Sequence, residues 1–271
     1  MPSLHLSRGV AGCELANRLR GVAVIVDALR ASTTLAALFD HGAARVLVTA
    51  ALEDACALTG ALPDAVLVGE RDCLPPAGFH LGNSPREVLA GPRLDGRTVI
   101  FTSSNGAQRL TACGGARHIL VGTVANAAAV AARARALAEA EECDIVFVGA
   151  GKYPDETYVA PEDEAAAAYL AAAVGLPIAA ASREAFAYWQ REIAARGLAH
   201  IFAHSPHAAV LARHRLAADI ALCATPDLLC AVPEVTGSVE LAGRGAGVEL
   251  RAENCPDAYR NRTTSPMHEK E

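Results

Sequence analysis

Six short segments are apolar at nearly every position rather than at every second one: 22–26 (VAVIV), 45–48 (RVLV), 65–68 (AVLV), 97–101 (RTVIF), 117–121 (RHILV) and 144–148 (DIVFV). Uninterrupted apolar runs of this length are what strands covered on both faces look like, so helices must lie on each side of the sheet they build. Helical stretches are expected between them at 32–39, 52–60, 107–112 and 126–140. The order β-α-β-α-β therefore occurs twice, over about 22–71 and 98–151, and GAARVLV at 42–48 matches in part GGARHIL at 114–120, with an offset of 72. The expected architecture is a three-layer α/β/α sandwich with a largely parallel, mixed sheet and two βαβαβ-like halves. Further helices are expected at 161–174, 182–196 and 206–216, the last opened by the cap-and-proline pair Ser205-Pro206. A C-terminal hairpin is expected from strands at 235–241 and 247–251. One domain over 1–255 accommodates all of this, with a helical and hairpin remainder over 160–255 and a polar, flexible tail at 256–271.

Composition narrows the function. With 271 residues, 52% apolar and 20% charged, the chain can bury a sizeable core and is not disordered. Its longest uncharged stretch, 165–182, is mostly alanine and is broken by Pro177, so no membrane span is expected. The first 21 residues lack the apolar core and cleavage site of a secretory leader, which makes the cytoplasm the expected location. Eight cysteines without a C-x-x-C pair argue against a zinc ribbon and predict reduced thiols. A net charge of −6 with no long basic run argues against a nucleic-acid partner. Of the 24 basic residues, only Lys152 and Lys270 are lysine, so any anionic ligand must be met by a local cluster. The many alanine faces allow close helix packing within or between subunits and leave a homo-oligomer open.

Ligands of open parallel sheets bind beyond the carboxyl ends of strands, where helix N-termini point. After the first strand stand Asp27, Arg30, Ser32 and Thr33: a carboxylate for Mg²⁺, a guanidinium for an oxyanion, and hydroxyls that serve either a ligand or the helix cap. The third strand ends in Glu70-Arg71. Ser84 opens a capping box with Glu87 and reads more as a cap than a catalyst, while Asn83 beside it is free to enter a cleft. In the second half Ser103, Ser104 and Asn105 offer donors beside Gly106, which lets main-chain amides approach an anion. Glu162 and Asp163 follow Pro161 at a helix start, where acids suit the helix dipole but also add carboxylates to a metal site. His200, His204 and His207 are broken by Ser205-Pro206 and do not form a zinc face. No P-loop, dinucleotide fingerprint or nucleophile elbow occurs, and Leu29 stands where an aspartyl-phosphatase of the haloacid dehalogenase kind carries its second Asp.

In this order VDALRASTT (26–34), GER (69–71), GFHLGNSP (78–85), TSSNG (102–106), the stretch Gly122 to Asn126 and Glu162-Asp163 resemble the 2-phosphosulfolactate phosphatase (ComB) family. The resemblance implies a Mg²⁺-dependent hydrolase that removes phosphate from 2-phospho-3-sulfolactate, a small anionic substrate on the way to coenzyme M. It marks Asp27, Arg30, Ser32, Thr33, Glu70, Arg71, Asn83, Ser84, Asn105, Glu162 and Asp163 as site residues, with Ser103, Ser104 and Asn126 alongside as substrate contacts. Where the family carries TTTNGT this chain has TSSNGA, which leaves Ala107 without a hydroxyl. On this reading Asp27 with Glu70, Glu162 or Asp163 holds Mg²⁺, and Arg30 and Arg71 neutralise charge on the phosphoryl group, with Asn105 beside it. Attack by water is favoured over attack by Asp27, and two other functions stay open: a Mg²⁺ phosphatase of another small phosphorylated acid, or a non-catalytic anion-binding module.

Overall fold

The six apolar runs become strands of one nine-stranded sheet in the computed structural model, which describes residues 1–252. The tail expected at 256–271 lies outside the described residues. Two elements precede the first expected strand: β1 (Leu4–Arg8) and α1 (Gly9–Leu19). The first half then runs β2 (Val22–Val26), α2 (Ala31–Asp40), β3 (Arg45–Thr49), α3 (Leu52–Ala61) and β4 (Val66–Gly69), with α4 (Pro85–Ala90) after it. The second half runs β5 (Thr98–Thr102), α5 (Gly106–Ala112), β6 (His118–Val121), α6 (Ala127–Ala140) and β7 (Ile145–Gly149). Five helices follow: α7 (Pro161–Val174), α8 (Arg183–Arg196), α9 (Leu198–Ala203), α10 (Pro206–Arg213) and α11 (Ala217–Cys223). The helix expected over 206–216 is α10 and ends at Arg213, because the chain turns at Arg215, whose φ is +62°, and α11 beyond it was not expected. The hairpin is β8 (Glu234–Leu241) and β9 (Arg244–Arg251). Its connection is shorter than expected: Ala242 and Gly243, both at positive φ (50° and 76°), make the two-residue turn that suits strand twist.

The strand order is β1-β7-β2-β6-β8-β9-β3-β5-β4. The two halves are therefore interleaved rather than side by side. β2 of the first half lies between β6 and β7 of the second, and β5 of the second lies between β3 and β4 of the first, all parallel. Exchanging the halves turns β7-β2-β6 into β4-β5-β3, so the sheet has a pseudo-two-fold relation with the antiparallel hairpin at its middle. β2 and β5 stand five strand positions apart, about 24 Å in a flat sheet. The loops that follow them nevertheless touch, so the sheet is strongly coiled, as accumulated strand twist allows.

Burial explains the uniform apolar runs. Val22, Val24 and Val26 face a core shared with α6, α7 and α9, while Ala23 and Ile25 face a second core shared with α1, α2 and α5. Leu47, Leu67 and Ile100 face a third, under α3 and the hairpin. α2 and α5, the helices that follow the first strand of each half, thus lie within the coil of the sheet. Cys13, Cys56, Cys73, Cys113, Cys143 and Cys223 are free thiols. Cys230 departs from that expectation and is disulfide-bonded.

Candidate active site

Asp27 leaves β2 buried, at 5% exposure, and joins the starts of the two related helices. Its Oδ1 accepts the Ala31 N–H of α2 at 3.2 Å and its Oδ2 accepts the Gly106 N–H of α5 at 2.8 Å. Two positive helix ends on one carboxylate are the electrostatic consequence of the pseudo-two-fold. Glycine is required at 106, because a Cβ there would lie 2.9 Å from Asp27 Oδ2. Ser32 and Thr33 do not line the cavity; their hydroxyls are used within the strand-to-helix turn. Ser32 Oγ accepts the Asp27 N–H at 2.9 Å and donates to the Ile25 carbonyl at 3.2 Å, and Thr33 Oγ1 reaches the Ala28 carbonyl at 3.3 Å and Thr123 Oγ1 at 3.2 Å.

Glu70 ties the exit of β4 to the exit of β5. Its Oε1 accepts the Ser104 N–H at 2.7 Å, and its Oε2 accepts the Cys73 N–H and the Ser104 hydroxyl, both at 3.1 Å. Arg71 turns away from the cavity and donates to the carbonyls of Glu70 (2.7 Å) and Ala50 (2.9 Å) and to Thr102 Oγ1 (2.9 Å). Ser103 Oγ accepts the Ala107 N–H at 3.1 Å. Ser84 caps α4 through the Glu87 N–H at 3.2 Å and donates to Asp219 Oδ1 at 2.7 Å. Asn126 is fully buried between Thr123 N–H (2.9 Å) and the Ala231 carbonyl (2.8 Å). Arg71, Ser103, Ser84 and Asn126 frame the site from behind its walls.

A cavity of about 550 Å³ collects the others: Asp27, Arg30, Glu70, Asn83, Ser104, Asn105, Glu162 and Asp163. Asp163 bridges two loops, its Oδ1 accepting Ala28 N–H at 2.8 Å and its Oδ2 Gly151 N–H at 3.0 Å. Asn105 Oδ1 accepts the Tyr153 N–H at 2.9 Å. Among buried polar atoms, Glu162 Oε2, Asn83 Oδ1 and Arg30 Nε have no hydrogen-bond partner. Arg30 is otherwise held by Asp219 Oδ2 at 2.8 Å, each side chain 2% exposed, and by the Cys73 carbonyl at 3.0 Å. Asp219, on α11, anchors Arg30 and Ser84 together; a lone acid in a short helix gives no local signal of that role. Lys152, Tyr158, His207 and His214 also line the cavity, and only the fold brings these four beside Asp27. His200 and His204 stack on each other, ring centroids 3.9 Å apart, away from it.

The carboxylates repel one another in a buried setting. Burial, with the nearby Glu70 charge adding to it, pushes Asp27 up to about 6. Burial and then Asp27 push Glu162 up to about 7, and burial, Asp27 and Glu162 hold Asp163 well above the ordinary carboxyl range. A carboxyl whose folded pKa is raised stabilises the fold fully below its unfolded value and loses that stability as pH rises through the folded value. The metal-free protein should therefore melt at lower temperature at pH 8 than at pH 5. Glu162→Gln should raise its stability at pH 8 by on the order of 2–3 kcal/mol. Thermal melts in chelator check this; a variant no more stable than the parent at pH 8 refutes it.

Three carboxylates above their usual range and an unpartnered Glu162 oxygen form a hard-oxygen donor set of the kind Mg²⁺ prefers. Among the described residues no three His, Cys, Asp or Glu side chains stand close enough to hold an ion as a ready-made cage.

The comparison with known proteins bears on the same residues. The family model for 2-phosphosulpholactate phosphatase matches residues 11–238, which include all the strand exits described above. The chain belongs to the 2-phosphosulpholactate phosphatase family. Within that family it is 45% identical over 131 residues to a probable 2-phosphosulfolactate phosphatase of Deinococcus radiodurans, covering 47% of this chain and 53% of that one. A probable 2-phosphosulfolactate phosphatase of Carboxydothermus hydrogenoformans is 32% identical over 212 residues, 78% of this chain and 84% of the relative. One from a Synechococcus species is 33% identical over 230 residues, 80% and 90% of the two chains. The chain thus spans about half the length of the Deinococcus relative and most of the other two. Among the described residues no helix is long and apolar enough to cross a membrane.

Proposed function

We propose that this chain is a Mg²⁺-dependent phosphatase that hydrolyses 2-phospho-3-sulfolactate to 3-sulfolactate and phosphate. The observation that carries the reading is the meeting, in one cavity of about 550 Å³, of the buried carboxylates Asp27, Glu162 and Asp163 with Arg30 and Lys152. A multiply charged phosphate ester needs both halves of that set. Family membership and the names of the relatives support the substrate.

Asp27 and Asp163 are the residues that would hold Mg²⁺, since each oxygen that already accepts one amide keeps a second lone pair. When bound, the ion would supply charge neutralisation at the phosphoryl oxygens. Arg30 lines the cavity while Asp219 and the Cys73 carbonyl fix its plane, so it stabilises phosphoryl charge without reorganising. Glu162, whose carboxyl is pushed up to about 7 and lines the cavity, is matched to taking the proton of the attacking water at neutral pH. The water oxygen then bonds phosphorus as the ester P–O bond breaks, and the released alkoxide takes its proton from solvent.

In chelator, phosphate release should fall to background, and added Mg²⁺ should restore it. The assay is inorganic phosphate production from 2-phospho-3-sulfolactate and from a panel of phosphate esters at equal concentration. Full turnover after complete metal removal, or no preference for the sulfolactate ester, rejects the proposal.

A further inference from the structure

The cavity also carries a second, cationic chemistry that the phosphoryl group does not need. Resting on the phosphatase reading above, we propose that Lys152, with His207, seats the sulfonate of the substrate and so selects a sulfonated acid over a plain phosphorylated one.

Lys152 is the one lysine among the described residues, in a chain whose other basic side chains there are all arginine. The two are not interchangeable: an ammonium is a compact point charge with three rotatable donors on a flexible stem, whereas a guanidinium presents a rigid planar fork. The cavity's arginine already has two of its nitrogens committed, to Asp219 and the Cys73 carbonyl. The backbone that carries Lys152 is held in place, and the side chain itself is exposed. The backbone on either side is fixed by Gly151 N–H on Asp163 (3.0 Å) and Tyr153 N–H on Asn105 (2.9 Å). Buried Arg109 grips the Ala150 carbonyl at 3.0 Å and Glu156 at 2.9 Å, and Glu156 also accepts the Val10 N–H at 2.8 Å. The ammonium lies 5.9 Å from the centre of the Tyr158 ring, itself on the cavity wall. His207 lines the same cavity. A substrate carrying phosphate, carboxylate and sulfonate is repelled by the acidic cluster except where a cation intervenes, so its remaining anionic group is drawn to this wall.

The test compares kcat/KM for 2-phospho-3-sulfolactate with that for 2-phospholactate, which lacks the sulfonate, and for phosphorylated isethionate, which lacks the carboxylate. Lys152→Met should reduce the selectivity for the sulfonated substrate over 2-phospholactate by about 10- to 100-fold. The loss should fall mainly on KM, and Lys152→Arg should recover part of it. An unchanged selectivity ratio overturns the proposal. So does a loss of selectivity against phosphorylated isethionate alone, which would place the carboxylate at Lys152. Should the parent enzyme turn over none of the three esters, the phosphatase reading fails, and calorimetry with 3-sulfolactate judges the subsite separately. Binding at least 10-fold weaker in Lys152→Met supports it, and equal or absent binding in parent and variant rejects it.

Discussion

Asp27→Asn yields a folded protein whose phosphatase turnover is about 1,000-fold or more below the parent. The carboxylate uses both oxygens to join the N-terminal amides of α2 and α5. An amide side chain keeps one acceptor and turns an NH₂ toward the other N–H, so the two loops separate where the phosphoryl group must sit. It also removes the negative charge on which a bound cation would rest. Stability need not suffer in proportion, because the substitution relieves a buried carboxylate whose pKa is pushed up to about 6. Steady-state phosphate release, with a circular dichroism spectrum of the same sample, decides the matter: a rate within 10-fold of the parent removes Asp27 from the chemistry.

Asp219→Ala should lower stability by about 3–5 kcal/mol, because it strands the Arg30 guanidinium in a site where both partners are 2% exposed. In a domain of this size that is a fall in Tm of about 6–20 °C. The Ser84 hydroxyl loses its acceptor as well, which loosens the cap of α4. Pairing the change with Arg30→Met removes the uncompensated charge, so the double variant should regain most of the lost stability while staying inactive. Urea unfolding of the three variants measures this; a single Asp219→Ala variant within 1 kcal/mol of the parent would show that water or backbone reaches Arg30 instead.

Much of the site was legible from strand exits alone, because a carboxylate leaving a fully buried strand has few structural duties. Asp27 and Glu70 were found that way, Glu162 and Asp163 as acids at a helix start, and the cavity collects all four. Hydroxyls were harder to judge. Ser32, Thr33, Ser103 and Ser84 all close local turns or caps, which is the commoner use of such residues at helix starts. Arg71 resembled a substrate contact because it neighbours Glu70, yet successive side chains at a strand exit point apart, and it serves Ala50 and Thr102 instead. β1 and α1 were missed because β1 is a half-buried edge strand and α1 carries Gly9 and Gly12.

Local chemistry in the sequence determined the elements. Apolar runs made doubly covered strands, and Pro161 with Gly175, at φ +70°, bounded α7 at the expected residues. The tertiary structure alone decided the pairing of those strands, since each half donates its first strand to the other's pair and no short-range signal records such an exchange. That interleaving sets α2 and α5 tip to tip around Asp27, brings Lys152 and His207 from remote segments to one cavity, and puts Asp219 against Arg30. Contacts between residues more than a hundred positions apart depend on how a coiled sheet closes, and only the folded chain holds that information.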